Sequence, residues 1–143
     1  MLETPRALKE RLGFLLLRAH RTLKHLADRE LATLGISTAQ MGILEMLRAS
    51  PGLSQIELGE ALAIDRTSIG AAVAQLEALE VAERVANPAD GRSYSVRLTT
   101  AGHRAAEKAT KGALAAQRKF LEPLTEAERK QLFSILRKLL ERP

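Results

Sequence analysis

Residues 53–102 permit few folds. Ser54-Gln55-Ile56-Glu57 is a capping box, with Ser54 at the N-cap and Glu57 at N3, and it starts a short helix that runs to about Leu62. Ala63-Ile64-Asp65 turns the chain, and Asp65 is placed to cap a second helix from Arg66 to about Glu80. Ile69, Val73, Leu76 and Leu79 give that helix an inner face. Its outer face, with Thr67, Ser68, Gly70, Ala71, Ala74 and Gln75, is small and mildly polar. Two short strands follow, residues 83–86 and 94–98. In the second, Tyr94, Val96 and Leu98 alternate with Ser93, Ser95 and Arg97; the first rests mainly on Val85 and its place before a turn. Asn87-Pro88-Ala89-Asp90-Gly91 supplies that turn, so the strands form a β-hairpin whose tip offers Arg92.

Helix, tight turn, helix and hairpin make a winged helix-turn-helix, and the flanks are helical as well. Thr4 and Pro5 suit the N-cap and first position of a helix that runs to near Gly35. Leu8, Leu12, Leu15, Ala19, Leu23, Leu26, Leu31 and Leu34 recur along it at mostly three- and four-residue spacing. Phe14, Leu16 and Leu17 fall off that stripe. A helix of roughly 30 residues is ~45 Å long, too long for so small a domain to cover, so a second copy of the chain is expected against it. Ser37 and Gln40 form another capping box, for a helix carrying Met41, Ile43, Leu44 and Leu47 that Pro51-Gly52 stops. Thr99 or Thr100 caps a long helix to about Leu121, with Ala105, Ala106, Ala109, Ala113, Leu114, Ala116 and Phe120; Pro123 breaks it. Thr125 and Glu128 box the last helix, whose Leu132, Phe133, Ile135, Leu136, Leu139 and Leu140 make a broad apolar face on a terminal element.

Composition narrows function by exclusion. The absence of cysteine removes disulfides, thiolate catalysis and thiol redox sensing. His20 and His25 are five residues apart, about 140° around a helix, and do not share a face as metal ligands would. No phosphate-binding glycine pattern and no cluster of nucleophile, base or ligand residues is present, so no enzyme activity, metal or cofactor is expected. The longest apolar run near the N-terminus, residues 13–17, is far short of a signal peptide or membrane span, which places the expected protein in the cytoplasm. The net charge of +5 is compatible with a polyanionic partner.

Double-stranded DNA is the partner the pattern favours. The first turn of the helix after Asp65 presents Arg66, Thr67 and Ser68, and in helix-turn-helix proteins that end enters the major groove. Thr67 and Ser68 suit phosphate or base contacts and equally suit a helix start. Arg92, at the end of a two-stranded ribbon, is shaped to enter a minor groove, where narrow width concentrates negative potential. Asp90 can orient its guanidinium, or Asp90-Gly91 is a plain hairpin turn, and both roles are compatible. A winged-helix module that binds protein without specific DNA affinity is the alternative.

Together these residues resemble the MarR family of bacterial winged-helix transcription regulators. The resemblance is carried by the spacing of Leu58, Leu62, Ile64, Ile69 and Val73, by Leu76-Glu77 and Arg84, and by the wing Asp90-Gly91-Arg92-Ser93 leading through Val96 to Leu98-Thr99 and Gly102. It extends outward through Gln40, Pro51-Gly52-Leu53-Ser54 and Leu124-Thr125-x-x-Glu128-Arg129. It implies one domain over residues 1–143, mainly α with a small β-hairpin wing. Residues 37–100 would be the DNA-binding lobe, flanked by dimerisation helices in residues 4–35 and 100–141. It further implies a homodimer on a pseudo-palindromic operator, acting as a repressor that a small, often aromatic and acidic, effector releases. The DNA contacts so implied are Ser54, Arg66, Thr67, Ser68, Ala71, Gln75, Arg84, Asp90, Arg92 and Ser93. Effector contacts are expected where the first helix passes the lobe, at Arg18, His20 and Arg21, with Met41 and Met46 as adaptable walls. Two features depart from the family pattern: Glu80 stands where glycine usually ends the recognition helix, and Ala71 where many members carry a larger polar or basic residue. Arg66 is that helix's one cation, which shifts weight to Arg92, the helix start and DNA shape.

Overall fold

From residue 37 onward every helix starts at a side-chain cap, and the caps set the order of elements. The computed structural model describes residues 2–86 and 94–141. Ser37 opens α3 (Thr38–Ala49), Ser54 opens α4 (Gln55–Leu62), Asp65 opens α5 (Arg66–Ala78), Thr99 opens α6 (Thr100–Phe120) and Thr125 opens α7 (Glu126–Leu140). The Ser37, Ser54 and Thr125 caps are reciprocal boxes with Gln40, Glu57 and Glu128. Strands β1 (Ala82–Ala86) and β2 (Tyr94–Leu98) pair antiparallel, Ala82 opposite Leu98 and Ala86 opposite Tyr94.

The N-terminal segment differs from expectation. Instead of one helix from residue 4, α1 covers only Arg6–Lys9, Arg11 is extended, and α2 runs Leu12–Leu31 before a 3-10 turn, Ala32–Leu34, that ends at left-handed Gly35. Pro5, not Thr4, stands at the first N-cap, with no side-chain cap bond. No residue of α1 is buried, so no packing holds the helical register across residues 10 and 11, and Gly13 weakens helix just beyond.

One core joins α2 through α6 and the two strands. Leu31, Ile43, Leu44, Leu47, Leu58, Ile69, Val73, Leu76 and Val96 are fully buried. Ala106 and Ala109 of α6 are buried in the same cluster, and Gly112 comes close to Glu30 and Leu31, so the small residues of α6 let α2 pack tightly on it. Leu79, expected on the inner face of α5, is instead its exposed C-cap residue, because the helix ends at Ala78. The wing is sewn to the lobe at its base: Val96 N–H donates to the Leu53 carbonyl and the Ser95 hydroxyl to the Gly52 carbonyl.

Candidate nucleic-acid interface

The two helices of the helix-turn-helix are fixed by how α4 ends. Ala63 adopts φ 54°, the Ile64 N–H donates to the Gly59 carbonyl and the Ala63 N–H to the Glu60 carbonyl, which is the double bond of a Schellman turn. A Cβ at Gly59 would sit 3.0 Å from the Ile64 carbonyl oxygen and against Ile69, so the close crossing of α4 and α5 needs a glycine there. Asp65 then caps α5. Its carboxylate accepts from the Ser68 hydroxyl at 2.7 Å and the Ser68 N–H at 2.8 Å, and these two bonds, the hydroxyl first, hold its pKa below the ordinary aspartate value.

α5 ends in the same way. Val81 N–H donates to the Leu76 carbonyl and Glu80 N–H to the Glu77 carbonyl, which puts Glu80 at φ 60°, the left-handed conformation that glycine adopts at least cost. The Val81 carbonyl is pressed into the first turn of α6: it accepts from Thr99 N–H, and a Cβ on Gly102 would lie 1.8 Å from its oxygen. Wing, α5 and α6 therefore meet at one rigid corner.

The expected contact residues fall into four groups. Arg66, Thr67, Ser68, Ala71, Ala74 and Gln75 are exposed on one side of α5. Ser68 is not free to donate there, since its hydroxyl proton goes to Asp65; its oxygen remains an acceptor. Ser54 and Arg84 serve the fold. The Ser54 hydroxyl accepts from Glu57 N–H. The Arg84 guanidinium donates to Gln55 Oε1 at 3.2 Å and to the Gly70 carbonyl at 2.9 Å, and pairs with Glu77 at 3.0 Å, clamping β1 to α4 and α5. Gly70, expected to face outward, lies on this clamped flank, 3.2 Å (as a Cβ) from Gln55. Asp90, Arg92 and Ser93 lie outside the described residues. Arg18, His20 and Arg21 are exposed on α2, with Arg18 over the Phe14 ring at 5.9 Å, whereas Met41 and Met46 are half-buried against the core. None of the five lines the cavities found between α4 and α5 or between α3 and α5.

Two residues that sequence reasoning passed over matter here. Gln40 was legible as the N3 residue of a capping box and as part of the family resemblance, but not as a partner of α5, to which its Nε2 donates at Gln75 Oε1. Gly59 carries no local signal, since its need comes from the chain five residues on.

A MarR family model matches residues 34–93, the lobe just described. An HTH-type transcriptional repressor of Mycobacterium tuberculosis is 30% identical over 128 residues, 90% of this chain and 92% of that protein. The chain belongs to the MarR family. A transcriptional regulatory protein assigned to the hcr operon of Thauera aromatica is 33% identical over 107 residues, 75% of this chain, which spans 64% of that relative's length. Among solved MarR-family structures, Bordetella bronchiseptica BpsR, whose DNA binding is regulated by 6-hydroxynicotinic acid, superposes with a TM-score of 0.85 at 26% identity, covering 98% of this chain and 100% of that one. A mutant Escherichia coli MarR complexed with operator DNA superposes with a TM-score of 0.81 at 27% identity, covering 90% and 93%. MarR-family proteins of these names are transcriptional regulators, and no described helix here is long and apolar enough to cross a membrane.

Proposed function

We propose that this chain is a homodimeric, sequence-specific DNA-binding repressor that a small aromatic or acidic molecule releases from a pseudo-palindromic operator. The observation that carries the reading is the exposed side of α5, held by its Asp65 cap and Schellman ends at a rigid corner of a helix-turn-helix that superposes on an operator-bound relative. Residues 37–100 act as the DNA-binding lobe. Residues 4–35 and 100–141 act as the dimer, supported by Leu12, Leu15, Leu16, Leu17, Leu114, Ile135, Leu139 and Leu140, all exposed in one chain.

In this reading Arg66, Thr67, Ala71 and Gln75 face the major groove, while Arg92, beside Asp90 and Ser93, enters the flanking minor groove. Ser54 and Arg84 act indirectly, by fixing α4 and the wing. Two-fold symmetry doubles a half-site that is sparse in cations, and phosphate contacts supply much of the affinity. An effector works by favouring a separation of the two lobes that does not match successive major grooves, ~34 Å apart. Arg18 or Arg21 would pair with its carboxylate.

A gel-shift titration against the DNA upstream of the protein's own gene tests the reading. It is supported by a discrete complex that unlabelled specific duplex competes away and random duplex does not. Equal competition by both would refute it. A thermal-shift screen of aromatic acids then identifies the effector class, and a hit must also dissolve the DNA complex.

A further inference from the structure

Gln40 is a polar side chain only 3% exposed, and both ends of its amide are engaged. The Ser37 backbone N–H donates to its Oε1 at 2.8 Å. A backbone N–H only donates, so the amide oxygen must face Ser37 and the –NH2 must face away. That –NH2 donates to Oε1 of Gln75 at 2.5 Å. The second amide is thereby fixed as well: Gln75 turns its oxygen inward and its own –NH2 outward. Gln75 is exposed on α5, one turn beyond Ala71 and on the same side as Ser68, beside an open cleft bounded by Gly35, Gln40, Ala78 and Leu79.

A free glutamine rotates its amide to offer either donors or an acceptor, and bidentate pairing with adenine uses both. Gln75 has lost that choice. We infer that Gln75 meets DNA with its –NH2, turned outward by Gln40, and that it selects hydrogen-bond acceptors on DNA: guanine O6 or N7, thymine O4, or a phosphate oxygen. Adenine pairing, in which the amide oxygen accepts from N6, is disfavoured because that oxygen is turned inward to Gln40, and so is cytosine N4. Gln40 is then a positioning residue for DNA readout, although it is buried and touches no DNA. The inference rests on α5 being the helix that faces DNA.

The test selects binding sites at pH 8 from duplexes randomised over both half-sites, using wild type, Gln75→Ala, Gln40→Glu and Gln40→Met, each checked for folding by circular dichroism. A glutamate at position 40 still accepts from Ser37 N–H but offers Gln75 a second acceptor, so the Gln75 amide turns over and exposes its oxygen. If the DNA acceptor is a base, wild type enriches guanine or thymine at one position per half-site, Gln40→Glu moves that preference to adenine or cytosine by roughly five-fold, and Gln40→Met and Gln75→Ala flatten it. If the acceptor is a phosphate, base preferences stay put while Gln75→Ala and Gln40→Glu each weaken every sequence by roughly five-fold per half-site. The inference is overturned if Gln75→Ala matches wild type in both profile and affinity, or if it differs while neither folded Gln40 variant does. Failure of the wild-type protein to select any sequence overturns the DNA reading itself, and this inference with it.

Discussion

The lobe and the outer helices are built on opposite terms. In the lobe, caps and core agree: Asp65 and Ser54 start helices whose inner residues Leu58, Ile69, Val73 and Leu76 are fully buried. In α7 they part company. α7 has a complete capping box at Thr125, yet it buries no residue, and Ile135 and Leu140 are 58% and 82% exposed. A lone amphipathic helix of this length is marginal in water. Capping therefore says where a helix starts, and only packing says whether it is finished. The lobe's apolar face is covered within one chain, whereas α7 leaves its own uncovered, as the proposed dimer requires.

The sharpest way to break this contrast is at the corner where the two regions meet. Gly102→Ala drives a Cβ into the Val81 carbonyl, and a loss of about 3 kcal/mol or more is expected in urea or thermal unfolding; an unchanged transition would mean that α6 and the wing do not meet as described. Next in size, Leu15→Asp combined with Leu139→Asp should give a monomer by light scattering whose lobe stays folded, with operator affinity lower by about a hundred-fold. Loss of the lobe's fold in that variant would erase the distinction between the regions. Arg92→Ala should weaken binding by about ten-fold per half-site without changing the dimer or the melting temperature.

Smaller effects are expected within the lobe. Glu80→Gly relieves a left-handed non-glycine residue and should stabilise by up to about 1 kcal/mol, read as a shifted urea midpoint at constant slope. The Asp65 and Glu128 carboxylates are both held below their ordinary pKa, by Ser68 and by the Thr125 cap respectively. A folded-state pKa below the unfolded value gives stability that is present above the ordinary carboxylate range and lost as pH falls through the folded value. Asp65→Asn keeps the cap but should flatten that acid-side slope slightly; an identical slope would mean the cap carries no charge linkage.

Much of this was legible in the sequence because it is local. The capping boxes at Ser37, Ser54 and Thr125, the Asp65 cap and the bounds of β2 follow from residues within four positions of one another. The misreadings were non-local. The apolar periodicity from Leu8 onward looked like one helix, but periodicity is blind to whether anything packs against it, and α1 separates where nothing does. Leu79 kept the helical spacing of the inner face although the chain had already turned at the C-cap. Nothing in the sequence around Arg84 tells what it touches, and only the fold brings Gln55, Gly70 and Glu77 to it. The pairing of Gln40 with Gln75 joins residues 35 positions apart and leaves no mark on either neighbourhood.

In the proposed function the lobe binds DNA and the outer helices make the binding bivalent. Fluorescence anisotropy of the duplex upstream of the gene, titrated with wild type and with the Leu15→Asp, Leu139→Asp monomer at two salt concentrations, tests it most directly. For both proteins log K should fall linearly with log salt, more steeply for the dimer because it neutralises more phosphates, and the monomer should bind far more weakly at either salt. Equal affinity of dimer and monomer, or no salt dependence for either, would contradict it.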